Sequence, residues 1–146
     1  MNSSLPSERM RHLAGQILAL ERAGQGPAES NTAPAERVCE ALRRPLCTLA
    51  GTTGFRELLK RALSLARTQV PALSAAGVNP DGSFEGLAQL VVDQDTVAED
   101  VLISELLGVL AVLIGEGLTV RIISDVWPGS DDLAGKIGEN EHDPRG

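Results

Sequence analysis

The residue types that most often carry catalysis or bind metals are scarce in this sequence of 146 residues. Its two histidines, His12 and His142, have no second ligand or nucleophile near them in the sequence. Cys39 and Cys47 fall on one predicted helix, roughly 12 Å apart, which is too far for a disulfide. We therefore predict two solvated histidines and two small buried cysteines, and we predict no catalytic residue, no metal and no cofactor.

The segment Asn79-Pro80-Asp81-Gly82 has some of the residues of a calcium-binding loop. With Gly82 at the sixth position of such a loop, the first and twelfth positions fall on Gly77 and Ala88, which lack carboxylates. The same segment suits a turn, because Pro fixes φ, Asp bonds its own backbone and Gly accepts a positive φ. Glycine-rich phosphate loops with a recognised spacing do not occur in the sequence. The segment therefore predicts a turn.

A candidate polar cluster consists of the charged residues within or beside the most apolar stretch of the chain: Glu105, Glu116, Arg121 and Asp125. Arg121 and Asp125 have i,i+4 spacing, and Glu116 is near them, which favours a local ion-pair network. The alternative is a partly buried cluster that faces a cleft or a partner. No nucleophile or base lies nearby in the sequence, so the cluster predicts no reaction.

A candidate interaction surface consists of the basic residues on the second and third predicted helices: Arg37, Arg43, Arg44, Arg56, Lys60, Arg61 and Arg67. Residues 1–70 carry ten Lys/Arg against six Glu, whereas residues 71–146 carry three against fourteen Asp/Glu. Two basic helices joined by a short turn have the layout of a helix-turn-helix DNA reader. The net charge of −7 argues against nucleic acid, because nucleic-acid binders normally have a basic domain. Complementary charge patches instead favour a protein partner or self-association.

Helical periodicity dominates the elements that must position these residues. A first helix is capped by Ser7 and runs to about Ala23. A second begins near Pro34, with a kink or break expected at Pro45 and an end at Gly51. A third begins at Thr53, and its apolar residues form one unbroken stripe: Phe55, Leu58, Leu59, Ala62, Leu63 and Ala66.

The second half of the chain is predicted to contain a hairpin, or an ordered loop, at residues 73–87 and a short helix at 86–92. A capping-box pattern at 96–99 opens a helix to about Ile114 that is apolar on nearly every side. Its small or polar residues form a stripe that would let another backbone approach closely: Asp100, Ser104, Gly108, Ala111 and Gly115. Residues 118–127 fit a helix better, although their β-branched residues leave a strand open.

We therefore expect an all-α protein with a single compact helical domain of five or six helices at residues 7–128. Residues 1–6 and the acidic residues 129–146 are predicted to be disordered tails. No apolar secretory segment or membrane-spanning stretch is found, so we expect a cytoplasmic protein without membrane contact. The favoured function is a non-catalytic protein-interaction module: an adaptor, a regulator or a self-associating protein of bacterial type. The alternatives are a DNA-binding regulator that uses residues 34–67, and an enzyme or small-ligand binder with an unrecognised site.

Overall fold

The computed structural model describes residues 7–24, 33–87 and 96–127. In these ranges the chain forms, in order, α1 (Glu8–Gly24), α2 (Pro34–Arg67), a 3₁₀ turn (Pro71–Ala75), β1 (Gly77–Val78), β2 (Phe84–Glu85), α3 (Thr96–Ile114) and α4 (Glu116–Val126). The predicted all-α character is confirmed, and so is the small hairpin. The predicted tails at 1–6 and 129–146 lie outside the ranges that the structure describes.

The helix count is four across the described ranges, so the prediction of five or six helices is wrong. The predicted second and third helices form one 34-residue element, α2, in which the only non-helical residue is Gly51, with φ 81° and ψ 167°. The backbone stays helical through Pro45, where we had expected a kink or break. Glycine takes a positive φ without steric cost, so the chain changes direction at Gly51 instead.

The structure confirms the helix predicted at residues 118–127 but describes only the first two residues of the helix predicted at 86–92. Residues 118–127 are helical as far as Val126, with Thr119, Ile122 and Ile123 buried along one side of α4. Burial at helical spacing outweighs the β preference of these residues. Of the helix predicted at 86–92, Gly86 and Leu87 lie in a turn, and the remaining residues fall outside the described part of the chain.

The core is built around α3, which packs against α1, α2 and α4. Its residues Leu102, Ile103, Leu106 and Leu107 are at most 1% exposed. The apolar face predicted for α1 is completely buried: Met10, Leu13, Ala14, Ile17 and Leu18. Ser7 caps α1 through its Oγ, which accepts a hydrogen bond from the Met10 amide at 3.2 Å. Among the helices seen here, none is both long and apolar enough to cross a bilayer.

The antiparallel hairpin pairs Gly77 with Glu85 and Val78 with Phe84. Its turn forms at the predicted Asn-Pro-Asp-Gly segment, where Asp81 Oδ1 accepts hydrogen bonds from the Ser83 amide at 2.9 Å and the Ser83 hydroxyl at 2.6 Å. These bonds lower the pKa of the Asp81 carboxyl below its usual value, because they stabilise its charged form. The turn is therefore specified by its own side chains.

The apolar stripe of residues 55–66 on α2 allows a direct test of which face of this helix is buried. Leu59 is fully buried, whereas the neighbouring Lys60 is exposed. We expect Leu59→Asp to abolish soluble folded protein, because an unpaired buried carboxylate costs several kcal/mol of a stability of roughly 5–15 kcal/mol. Lys60→Asp should fold normally. Circular dichroism melting of both variants makes the comparison, and equal tolerance of the two changes would contradict this packing.

Candidate functional site

A groove with a volume of about 660 Å³ lies between α2 and α3. The α2 side consists of Ala50, Gly54, Glu57, Leu58, Arg61 and Leu65. The α3 side consists of Glu105, Gly108, Val109, Val112 and Leu113. We call this opening the α2–α3 groove. Eight of its eleven lining residues are apolar or glycine, so its surface is mostly nonpolar.

The α2–α3 groove leaves large apolar side chains in contact with solvent. Val112 is 77% exposed and Leu113 is 64% exposed, and Leu49, next to the groove residue Ala50, is 53% exposed. The small residues Gly54 and Gly108 keep the walls of the groove low. An exposed apolar patch of this kind, with charged residues beside it, is typical of a binding surface. The groove is therefore the candidate functional site.

The charged residues on the α2 side of the groove are Glu57 and Arg61, one helical turn apart. Both are exposed. Glu57 has only loose ion pairs, with Lys60 Nζ at 3.6 Å and Arg56 Nε at 4.0 Å from its Oε2. Within the described ranges, Arg61 takes part in no ion pair. This edge of the groove thus presents an exposed anion with two loose ion pairs and, one turn away, an exposed cation with no ion pair in the described ranges.

Glu105 lines the groove from the α3 side and is only 2% exposed. Its Oε2 accepts a hydrogen bond from Gln69 Nε2 at 2.5 Å. Burial raises the pKa of the Glu105 carboxyl above its ordinary value, and the Gln69 bond and the positive charge of Arg11 oppose that rise. Glu105 also lines a smaller cleft of about 280 Å³ together with Arg11, Asp100 and Ser104. It therefore lies between the groove and this smaller cleft.

A second buried carboxylate on α3, Glu99, forms an ion pair with α1. Arg22 Nη2 donates to Glu99 Oε1 at 2.8 Å, and the Glu99 side chain is 4% exposed. Burial raises the pKa of Glu99, and it outweighs the opposite effect of Arg22. The ion pair therefore fixes α1 against the start of α3.

Glu21, the neighbour of Arg22, joins three elements. Its Oε1 accepts a hydrogen bond from Arg37 Nε on α2 at 3.2 Å. Its Oε2 accepts one from Trp127 Nε1, after α4, at 2.9 Å. Arg37 also donates to the Glu21 carbonyl at 3.0 Å. These polar contacts hold α1, the start of α2 and the residue that follows α4 in a fixed orientation.

The candidate polar cluster is not assembled in the described structure, where no ion pair or hydrogen bond joins any two of its four residues. Glu105 is buried against Gln69, and Glu116 lies 3.9 Å from Arg9 on α1 in an exposed ion pair. Arg121 and Asp125 are both exposed. The i,i+4 spacing placed the two side chains on the same side of α4 but did not bring them into contact.

Four members of the candidate interaction surface bind other parts of the same chain. Arg37 binds Glu21, as described above. Arg43 lies over the Phe55 ring, 5.2 Å from its centroid, and donates to the Asp81 carbonyl at 2.7 Å. Arg56 donates to the Pro80 carbonyl at 3.1 Å.

Arg67, the fourth of these residues, donates to the Ala76 carbonyl and, at 3.4 Å, to the Leu73 carbonyl. Arg43, Arg56 and Arg67 together hold residues 71–87 against α2. Arg67 stays exposed while it makes these bonds, and the other exposed members of the surface are Arg44, Lys60 and Arg61. Sequence reasoning could not find this role, because the acceptors are backbone carbonyls that carry no sequence signal.

Redox and metal chemistry have little support in the part of the chain that the structure describes. Cys39 is buried and Cys47 is half-buried, and both are free thiols. Burial raises the pKa of the Cys39 thiol, which makes it a poor nucleophile. No group of three His, Cys, Asp or Glu residues within the described ranges could hold a metal ion.

Comparisons of this chain with protein-family models, with curated proteins and with solved structures found no match. The functional assignment therefore rests on the geometry of the α2–α3 groove.

Removing Arg22 tests the ion pair on Glu99. We expect Arg22→Met to lower the free energy of unfolding by about 2 kcal/mol at pH 7, because it leaves Glu99 buried without its cation. The loss should be below the roughly 3–5 kcal/mol of a fully buried pair, because Arg22 is partly exposed. Adding Glu99→Gln should restore part of the stability in urea titrations. An unchanged midpoint for Arg22→Met would contradict the role of this pair.

The raised pKa of Glu105 predicts a pH-dependent stability. Between the unfolded pKa of about 4.5 and the higher folded pKa, the folded state binds more protons, so the free energy of unfolding falls as pH rises. Glu105→Gln keeps an acceptor for Gln69 without the charge. We expect it to raise the melting temperature at pH 7, with a gain that shrinks toward pH 4.5. Glu116→Gln, at an exposed site, is the control, and an equal effect of both variants would contradict the prediction.

Proposed function

We propose that this protein is a non-catalytic protein-interaction module and that its binding surface is the α2–α3 groove. The observation that carries the proposal is the exposure of Val112 and Leu113 beside a groove lined by small and apolar residues. Burying these side chains against a partner would contribute about 25 cal/mol for each Å² of apolar surface removed from water. That free energy favours association over a solvated groove.

The shape and lining of the groove suit a helix as the bound element. In helix-in-groove recognition, an amphipathic helix places its apolar face between two helices of the receptor. Gly54 and Gly108 would allow the bound backbone to approach closely, and Leu58 and Val109 offer apolar contact. Glu57 and Arg61 at the edge would select the orientation of the partner, since rim charges affect specificity more than affinity.

DNA binding has weaker support. Nucleic-acid affinity depends on several cations that neutralise phosphates. Of the basic residues on residues 34–67, Arg37, Arg43, Arg56 and Arg67 are engaged within the chain. The remaining exposed cations do not make up the basic domain that such a reader requires.

A small apolar ligand is the second candidate, and the groove volume favours it. A volume of about 660 Å³ lies within the range of roughly 300–1,000 Å³ found for small-molecule sites. Glu105 and Arg61 would supply its polar contacts. Enzymatic activity is not favoured, because the lining residues include no Ser, Cys, His or Lys that could act as a nucleophile.

Photo-crosslinking in the native cell tests the proposal. We expect a photoreactive amino acid at Val112 to form covalent adducts with a polypeptide, whereas the same probe at Asp125, exposed on α4, should not. Adding Leu113→Glu should abolish the adduct without lowering the melting temperature, because Leu113 is mostly exposed. Absence of polypeptide adducts at Val112, or a small molecule that co-purifies and survives native mass spectrometry in the groove, would contradict a protein-interaction role.

A further inference from the structure

We infer that the protein bound in the α2–α3 groove is a second copy of this chain, with α2 of the two copies antiparallel and Glu57 of each opposite Arg61 of the other. This inference rests on the proposed function, since it names the partner of the same groove. It follows from the order of charges on α2 and from the sizes of the residues beside them.

The charges on this edge of the groove are complementary to themselves. Twofold symmetry makes every contact occur twice, so that residue i meets residue j and residue j meets residue i. Two copies of α2 can run antiparallel with the twofold axis passing at the level of Leu59. Glu57 of each copy then lies opposite Arg61 of the other copy. Both exposed charges then have a partner of opposite sign, which Arg61 lacks within the described part of its own chain.

The apolar residues of α2 fit the same register. Leu65 comes level, within about one residue or 1.5 Å, with Gly54 of the other copy, and the reverse contact forms by symmetry. Gly54 has no side chain, and the small Ala50, whose Cβ lies 2.6 Å from where a Gly54 Cβ would be, fills only part of that place, so Leu65 of the other copy meets a low surface there. Leu58 lies near the axis, where it meets its symmetry mate. Large residues opposite small ones let helices pack closely, as they do in well-packed cores.

The α3 helix completes the interface as a second wall. When α2 of the other copy lies in the groove, Val112 and Leu113 of α3 would pack against one side of that helix. Two copies of α2 and two of α3 then form a four-helix arrangement, in which the exposed apolar residues of both chains are buried together. This geometry explains why α3 carries apolar residues on a side that α1, α2 and α4 leave uncovered.

Electrostatic repulsion between two chains with a net charge of −7 does not oppose this pairing strongly. The described residues contain eleven Lys/Arg and twelve Asp/Glu, so the helical body is nearly neutral. Most of the excess negative charge belongs to residues 25–32, 88–95 and 128–146. Two bodies can therefore approach each other with little long-range repulsion, and salt screens what remains.

Charge exchange between Glu57 and Arg61 tests the pairing, with sedimentation equilibrium of the full chain as the measurement. We expect a wild-type dimer. Glu57→Arg and Arg61→Glu should each weaken self-association by about tenfold or more, because each places like charges opposite one another twice. An equimolar mixture of these two variants should form a heterodimer of near wild-type affinity, since every contact again joins opposite charges. Arg44→Glu, which makes the same charge change at an exposed residue outside the groove lining, should dimerise normally.

The alternative outcomes separate this inference from the proposed function. A wild-type monomer at all concentrations, or a failure of the mixed variants to pair, overturns the dimer. If deletion of residues 128–146 is required for dimerisation, that acidic segment occupies the groove in the intact chain, which also overturns it. Crosslinks from Val112 to a different protein alone would overturn the dimer and support the proposed function, whereas crosslinks between copies support both.

Discussion

The burial of α3 is the constraint on which the rest of the structure depends. A helix with Leu, Ile or Val on almost every turn and every side needs neighbours all around it. In this chain α1, α2 and α4 cover most of α3, so that Leu102, Ile103 and Leu106 are inaccessible to water. Val112 and Leu113, near its C-terminal end, remain exposed. The groove is thus the part of α3 that the described helices do not cover.

The polar contacts of the body determine where the covering helices lie. Apolar packing of Leu, Ile and Ala tolerates many arrangements, because these side chains have no directional bonds. Glu99 with Arg22, and Glu21 with Arg37 and Trp127, accept only one arrangement of α1 against α2, α3 and the end of α4. The raised pKa of Glu99 indicates that burial costs more than the ion pair returns. Specific orientation of the helices, rather than stability, is therefore the physical role that we assign to it.

Much of the fold could be predicted from the sequence, because amphipathic stripes report burial directly. The face of α1, the stripe on α2 and the turn at Asn79–Gly82 all follow from spacing and turn chemistry. Helix continuity was harder to predict: Pro45 suggested an interruption that did not occur, whereas Gly51, the predicted end of the second helix, is the non-helical residue at which α2 is kinked. Local preference alone does not determine where a helix continues, because tertiary packing can override it.

The candidate site was less predictable, since it depends on which side chains the tertiary contacts use. Seven basic residues on one stretch of sequence suggested a single surface, but Arg43 binds the Asp81 carbonyl, 38 residues away, and Arg67 binds the Leu73 carbonyl after the end of α2. The excess apolarity of α3 suggested an interface, which stays a prediction, and Gly108, predicted to allow close approach, lines the groove. What the sequence could not specify was which part of α3 stays uncovered.

The charge asymmetry between the two halves of the chain is partly used inside the folded molecule, where basic residues of the first half contact acceptors in the second half. Its basic half supplies Arg22 to Glu99 on α3, and Arg43 and Arg56 to the carbonyls of the hairpin. Those cations stabilise contacts within one molecule, and about a third of each side chain remains exposed. The charges that remain at the groove, Glu57 and Arg61, have opposite signs and lie one turn apart, so they create no net field. Such a pair adds little steering at a distance, but it discriminates between registers on contact, because a shift of one turn places like charges together. Under the proposed function, we therefore expect recognition at this groove to depend on register rather than on bulk charge.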